Sequence, residues 1–276
     1  MDDPRVTVLN TYRTERAVAR NTGAALSRGD WLYFLDDDDY VLPGAFAAML
    51  EVAERTRATH VYGGYRITDM AQTTDEVIRP DISGDIFPLL LAGETLPPQA
   101  RWVRREYFFR VGGFDPLMVP VEDVDLFRRI SRIGPVARTD FVVAVVRVNH
   151  PATTTTDSQR QNSQWLRSLD QCLSLPETLS RVLRRTAQEP YWRGRCARIY
   201  LGSAGRNLLQ GRHGLAWGRL LAALQLSRLP SGDRKLFWRG FRRQPGEPLK
   251  PETDSAQVDD SPMPISGTLG GVTKEI

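Results

Sequence analysis

The sequence predicts an α/β protein with a doubly wound sheet, followed by a helical extension. Three observations carry that prediction. Over the first 150 residues, short apolar runs alternate with amphipathic stretches of helical period. Beyond residue 160 the pattern becomes helical and rich in arginine. From Gln244 onward Pro, Gly, Ser and acidic residues dominate, a composition expected to be disordered. The expected units are therefore 1–155, 156–245 and 246–276.

Taken in order, Arg5-Val6-Thr7-Val8-Leu9 alternates as a strand does. Thr14 to Ser27 carries good helix formers with Ala17, Val18, Ala24, Ala25 and Leu26 on one side, and Gly29 stops it. Trp31 to Leu35 is a continuous aromatic-rich run, the pattern of a buried parallel strand. Four aspartates follow, then Pro43 and a helical stretch over 44–57, and extended structure resumes at Thr59–Tyr62. Ligands of doubly wound sheets lie at the carboxyl ends of strands, where the aspartates stand. Pro88, Pro97 and Pro98 interrupt the next segment. A helical turn over 106–111 is expected to end at Gly112-Gly113, a helix over 122–133 to bury Val124, Phe127 and Ile130, and a strand to run over 141–148. Residues 151–156 read as a loop. Helices are expected to start at Pro190 and to end near Gln210, and to run again over 215–226. Gly202, Ala204, Ala216 and Gly218 would let these two helices approach closely.

Composition narrows the class. The chain has 276 residues, 41% apolar and 25% charged, which excludes a disordered chain, a collagen-like fibre and a coiled-coil rod. Cys172 and Cys196 cannot build a disulfide framework or a cysteine zinc site, and a reducing, cytoplasmic setting is expected. The amino terminus is acidic and unlike a secretory signal, and no apolar run has membrane-spanning length. The net charge of +4 conceals a division: −4 over 1–150, +12 over 151–245 and −4 over 246–276.

Asp36-Asp37-Asp38-Asp39 places four mutually repelling carboxylates after an apolar strand, an arrangement that a divalent cation relieves. A solvated acidic turn is the alternative. Glu122-Asp123-Val124-Asp125 opens a helix, where the dipole favours acids, so capping alone competes with a catalytic role. His150 ends the last strand of the first half, at the position of a metal ligand or a structural histidine; His60 and His213 read as structural.

Arg20-Asn21-x-Gly23, the run Arg28 to Asp39 and then Pro43 together resemble the centre of a family 2 glycosyltransferase. Gly112-Gly113-Phe114-Asp115, followed by Glu122-Asp123-Val124-Asp125-Leu126, resembles that family's second signature, and Val146-Arg147-Val148-Asn149-His150 resembles the strand that closes its domain. The resemblance covers about residues 4–155. It implies a GT-A-like (Rossmann-like) fold, a mixed and mainly parallel sheet flanked by helices, here with a helical carboxyl-terminal extension. It also implies transfer of a sugar from a nucleotide-sugar donor to an acceptor hydroxyl, with inversion by single displacement. Arg20, Asn21, Asp36, Asp37 and Asp38 would bind the nucleotide sugar. Asp38 and His150 would hold Mg²⁺ or Mn²⁺. Asp123 would be the general base, and Gly112, Gly113 and Glu122 would contact the acceptor. The family's opening strand with its Pro-x-Tyr-Asn-like turn, and its Asp-Asp-Gly-Ser strand end, are not found. A start codon placed too far downstream is the favoured account, ahead of a genuine truncation or completion by a partner chain, and an exposed sheet edge is expected. An inactive glycosyltransferase-like domain that binds a glycan or scaffolds a partner is the alternative function.

The expected partners are the nucleotide sugar and a glycan or lipid-linked acceptor, with no nucleic acid. Residues 234–243 interleave aromatics with cations, which suits peripheral contact with the inner face of a membrane.

Overall fold

The computed structural model describes residues 3–10, 15–69, 75–148, 158–228 and 234–243. The first element is helix α1 (Arg16–Leu26), which buries Ala17 and Ala24 and leaves Val18 and Leu26 exposed. Strand β1 (Trp31–Tyr33) leads into the aspartates, and β2 (Tyr40–Val41) leaves them. Gly44, at φ 85°, turns the chain into α2 (Ala45–Arg55). Long β3 (His60–Asp69) and β4 (Asp75–Ile78) follow, then the short helix α3 (Phe87–Leu91), β5 (Arg101–Arg104) and α4 (Arg105–Arg110). Helix α5 (Glu122–Ile133) and β6 (Val136–Val148) complete the sheet region.

The strands run in the order β1-β5-β3-β6-β2, with β4 paired to the far half of β3. The mixed sheet flanked by helices is as expected, but its strands are not mainly parallel. Among the described residues only β3 and β6 pair in parallel; β1–β5, β5–β3, β3–β4 and β2–β6 are antiparallel. Connection length explains this, because a parallel pair needs a long crossover, which α3, α4 and α5 supply between β3 and β6. β4 follows β3 after a few residues and folds back on it.

Two strand expectations change. Residues 5–9 form no strand; Val6, Val8 and Leu9 are exposed, and the alternating pattern has no neighbouring ladder to join. The run at 31–35 gives a three-residue strand at the sheet's edge, antiparallel to β5, with only Leu32 buried. Phe34 has already left the ladder to pack on Phe108 and Phe114, at ring separations of 5.5 and 4.9 Å. Residues 34–39 thus join the two outermost strands, β1 and β2, through a turn closed by Asp39 N–H donating to Asp36 O at 3.2 Å. The sheet curls into a half-barrel, and the aspartates cross its open side.

The extension consists of α6 (Ser158–Leu173), α7 (Thr178–Arg185), α8 (Pro190–Leu209), α9 (His213–Ser227) and α10 (Arg234–Arg242). It shares one apolar cluster with α3, in which Phe87, Leu91 and Ala92 meet Leu169, Cys196, Tyr200, Leu226 and Phe237. Several of its arginines hold helix ends together. Arg193 donates to Leu226 O, Gln225 O and Arg228 O at the end of α9, and Arg195 donates to Ala92 O at 2.8 Å. Ala204 and Ala216 are buried in the α8–α9 hairpin, whereas Gly218 faces open space. The closest helix approach lies elsewhere, where α10 crosses α8: a Cβ on Gly194 would stand 2.0 Å from Phe237 O, and one on Gly240 2.0 Å from Tyr191 O. Phe237 is consequently buried and Phe241 partly so, leaving Trp238 as the exposed aromatic of the segment expected to meet a membrane. The loop expected over 151–156 and the tail beyond 243 lie outside the described residues.

Candidate active site

The aspartates after β1 differ in surroundings. Asp37 is exposed, Asp36 and Asp38 are half-buried and Asp39 is buried. A carboxylate oxygen from each of Asp36, Asp38 and Asp39 lies within 4.8 Å of the others. Asp36 is fixed from two sides: Arg20 Nη2 donates to its Oδ1 at 2.5 Å, and Gln99 Nε2 to its Oδ2 at 3.0 Å. Tyr33, at the end of β1, donates from its hydroxyl to Gln99 O and so fixes the glutamine. Asp39 accepts from Arg147 N–H on β6 at 2.8 Å, and the Arg147 side chain donates to Asp38 O. Burial and then the charges of Asp38 and Asp36 raise the Asp39 carboxyl above its ordinary value. Among the described residues the Asp38 carboxylate has no hydrogen-bond donor.

The second cluster begins α5. Glu122 is almost wholly buried and lies between two arginines of α1: Arg20 Nη1 at 2.9 Å and Arg16 Nε at 2.5 Å. Arg20 therefore touches both clusters, Asp36 with one nitrogen and Glu122 with another. Arg16 also donates at 2.8 Å to the carbonyl of Pro120, whose bond to Val119 is cis. Asp123 follows Glu122 in the same turn and accepts from Val124 N–H at 2.7 Å. Burial, and then the Glu122 charge, raise the Asp123 carboxyl above its usual range, while Val124 N–H, Arg101 and Arg16 oppose the shift. Asp125 turns the other way, accepting from Arg129 Nε at 2.7 Å and from Ser168 Oγ of α6 at 2.9 Å.

Gly112 and Gly113 form the turn before this helix, at φ 86° and 70°. Asn21 reaches it from α1, accepting from Phe114 N–H at 2.9 Å and donating to Phe114 O at 2.8 Å. Arg129 donates to Val111 O and Gly113 O. The Asn21 carboxamide is thus spent on the turn rather than left facing a pocket. His150 lies outside the described residues.

Four groups escaped sequence reasoning. Gln99 and Tyr33 hold Asp36, and no motif marks them. Arg16 stands one helical turn before Arg20, a spacing that does carry a signal. Arg101 lies buried with its guanidinium 3.7 Å over the Phe127 ring, and burial pushes its pKa down to about 9. Between the start of α5, α6 and α8 lies a cavity of about 570 Å³, lined by Val121 and Val124, which flank the Glu122-Asp123 pair in sequence, by Trp165 and Asn162 of α6, and by Arg198 and Arg206 of α8; the Asp123 carboxylate does not line it. Its size is that of a small-molecule site.

Residues 2–110 match the family described as "Glycosyl transferase family 2". That stretch holds α1, the aspartates, Gln99 and Arg101 together. The match ends just before Gly112, so the Glu122-Asp123 cluster lies beyond it. An uncharacterized glycosyltransferase of Haemophilus influenzae is 28% identical over 130 residues, which are 46% of this chain and 44% of the relative. An uncharacterized glycosyltransferase of Rickettsia felis is 24% identical over 128 residues, 43% of this chain and 21% of that protein. The chain thus spans less than half the length of these curated relatives. Among solved structures, Staphylococcus aureus TarS 1–349 in complex with UDP aligns at a TM-score of 0.43 and 13% identity, over 76% of this chain and 70% of that one.

Proposed function

We propose that this chain transfers a sugar from a nucleoside-diphosphate sugar to an acceptor hydroxyl, by a single displacement that inverts the anomeric carbon. The observation that carries this reading is the Arg20 bridge. One guanidinium holds Asp36 of the first cluster and Glu122 of the second, so the two clusters serve a single site beside Asp123.

Asp123 is the general base. It takes the acceptor's hydroxyl proton as that oxygen bonds to the anomeric carbon and the bond to the diphosphate oxygen breaks. Its raised pKa suits proton capture from a weak acid better than that of an ordinary surface aspartate. Glu122, held by Arg16 and Arg20, fixes the turn that presents Asp123. The nucleotide side belongs to Arg20, Asp36 and Asp38, with Asp37 at the rim.

A divalent cation fits the aspartates. Three carboxylate oxygens within 4.8 Å form a hard oxygen donor set suited to Mg²⁺ or Mn²⁺, and Asp38 has no competing donor among the described residues. Asp38 and Asp36 would hold it, with His150 as a further ligand, and bound there it would neutralise charge on the departing diphosphate. The 570 Å³ cavity lined by Val121 and Val124 at the start of α5 is the proposed acceptor side, its tryptophan, asparagine and arginines suited to the face and hydroxyls of a glycan or lipid-linked sugar.

A screen of uridine, guanosine, adenosine and thymidine diphosphate sugars for Mn²⁺-dependent release of the nucleotide tests the reading. Turnover of at least one donor that stops with EDTA is expected. Donor or glycan binding without turnover would fit the inactive binding module instead.

A further inference from the structure

Helix α9 is apolar on two opposite faces. The inner face buries Ala216, Ala222, Ala223 and Leu226 against α8 and α6. The outer face carries Trp217, Leu221 and Leu224, spaced i, i+4 and i+7, and these are 65%, 58% and 50% exposed. At the hairpin's tip Leu208 and Leu209 are exposed as well, Leu209 almost completely at 90%. A surface helix of a water-soluble domain normally turns a polar stripe outward, and a contiguous outer apolar stripe marks a face that something covers.

The charges around the stripe say what covers it. Residues 190–243 contain twelve Lys and Arg, of which Arg193, Arg195 and Arg219 are buried, but a single acid, Asp233. Arg212 and Arg228, both exposed, bracket α9, and the neighbouring α10 carries exposed Arg234, Lys235, Arg239 and Arg242. Two copies of this surface placed face to face would bring like charges together, which opposes self-association. An apolar stripe with an exposed tryptophan inside a field of cations complements an anionic lipid surface, where the indole sits at headgroup level and the cations meet the phosphates.

We propose that the outer face of α9, with the Leu208–Leu209 tip of the hairpin, seats the protein on an anionic lipid leaflet. The aromatics of 234–243 do not form this surface, because Phe237 and Gly240 are packed on α8. The surface is independent of the catalytic reading, since none of its residues touches the aspartates, Asp123 or the cavity.

The test is sedimentation of the full chain with vesicles of phosphatidylcholine and phosphatidylglycerol in equal parts, and with phosphatidylcholine alone. The wild-type chain is expected to pellet with the anionic vesicles, and Trp217→Glu with Leu221→Glu to weaken that binding by at least about tenfold. Both positions are solvent-facing, so an unchanged circular dichroism spectrum and melting curve establish that the variant folds. Phe237→Ala, on the buried face of α10, serves as the comparison for simple destabilisation. Equal binding by wild type and the double variant would overturn the proposal, as would no pelleting with either vesicle. A stable dimer in solution that the double variant converts to monomer would assign the stripe to self-association and overturn it too.

Discussion

In the proposed reaction, Asp123 is the residue on which the chemistry turns. Asp123→Asn keeps the shape and removes the base, so transfer is expected to fall by about 10²- to 10⁴-fold with the melting curve unchanged. Its raised pKa sets the sign of the pH dependence. Activity needs the ionised form, so kcat/KM is lost as pH falls through the folded-state value, at a higher pH than an ordinary aspartate would give. A wild-type profile without an acidic limb, measured on a donor with a pH-insensitive assay, would contradict that role. Asp39 offers a stability counterpart. Its pKa is raised in the folded state, so at neutral pH the charged form costs stability, and the cost vanishes below its unfolded value. Without divalent cations Asp39→Asn should therefore be more stable at pH 7, on the order of 0.5 kcal/mol after screening, and equal near pH 3. The Asn oxygen can still accept from Arg147 N–H. Urea unfolding at the two pH values measures the difference.

At the scale of elements, the turn Gly112-Gly113-Phe114 is held by α1 and α5 together. Gly113 sits at φ 70°, and a Cβ there would stand 2.7 Å from Asn21 Oδ1. Gly113→Ala should cost about 1–3 kcal/mol, chiefly through its backbone conformation. Asn21→Ala should cost a similar amount by leaving Phe114 N–H and C=O unpaired. Denaturant melts of both variants check this, and Gly112→Ala, with open space around its Cβ, isolates the backbone contribution. Local signals made the helices legible: Pro43 before α2, Gly112-Gly113 after α4, the acids opening α5, and Pro190 at the start of α8 with its end near Gln210. Strand direction was not legible, because pairing depends on what lies between strands rather than on the strands themselves. Trp31–Leu35 reads as buried and parallel by composition, yet β5 reaches it from the opposite direction. Residues 5–9 have the alternation of a strand and no ladder to join. In the site, the aspartates and the Glu122-Asp123 pair stood out by charge, but Gln99, Tyr33 and Arg101 act only through contacts formed by folding.

Across the whole molecule, the extension is built into the fold. α3 shares its apolar cluster, Asp125 of α5 is bonded to Ser168 of α6, and α8 lines the cavity that Val121 and Val124 bound at the start of α5. Its arginine count reads as a binding surface in sequence, yet Arg193, Arg195 and Arg219 are buried among backbone carbonyls. Gly240→Val would drive a side chain into Tyr191 O and release α10, so hydrogen exchange should rise across 234–242 while the sheet keeps its protection. In the proposed reaction the aspartate turn and the α5 start are two halves of one site, the first for the donor and the second for the transfer step. Calorimetric donor binding with Mn²⁺, set beside transfer on the same Asp123→Asn preparation, tests it most directly. Donor affinity within about twofold of wild type, with transfer reduced by at least about 10²-fold, is the predicted result. Undiminished transfer by Asp123→Asn would contradict the account.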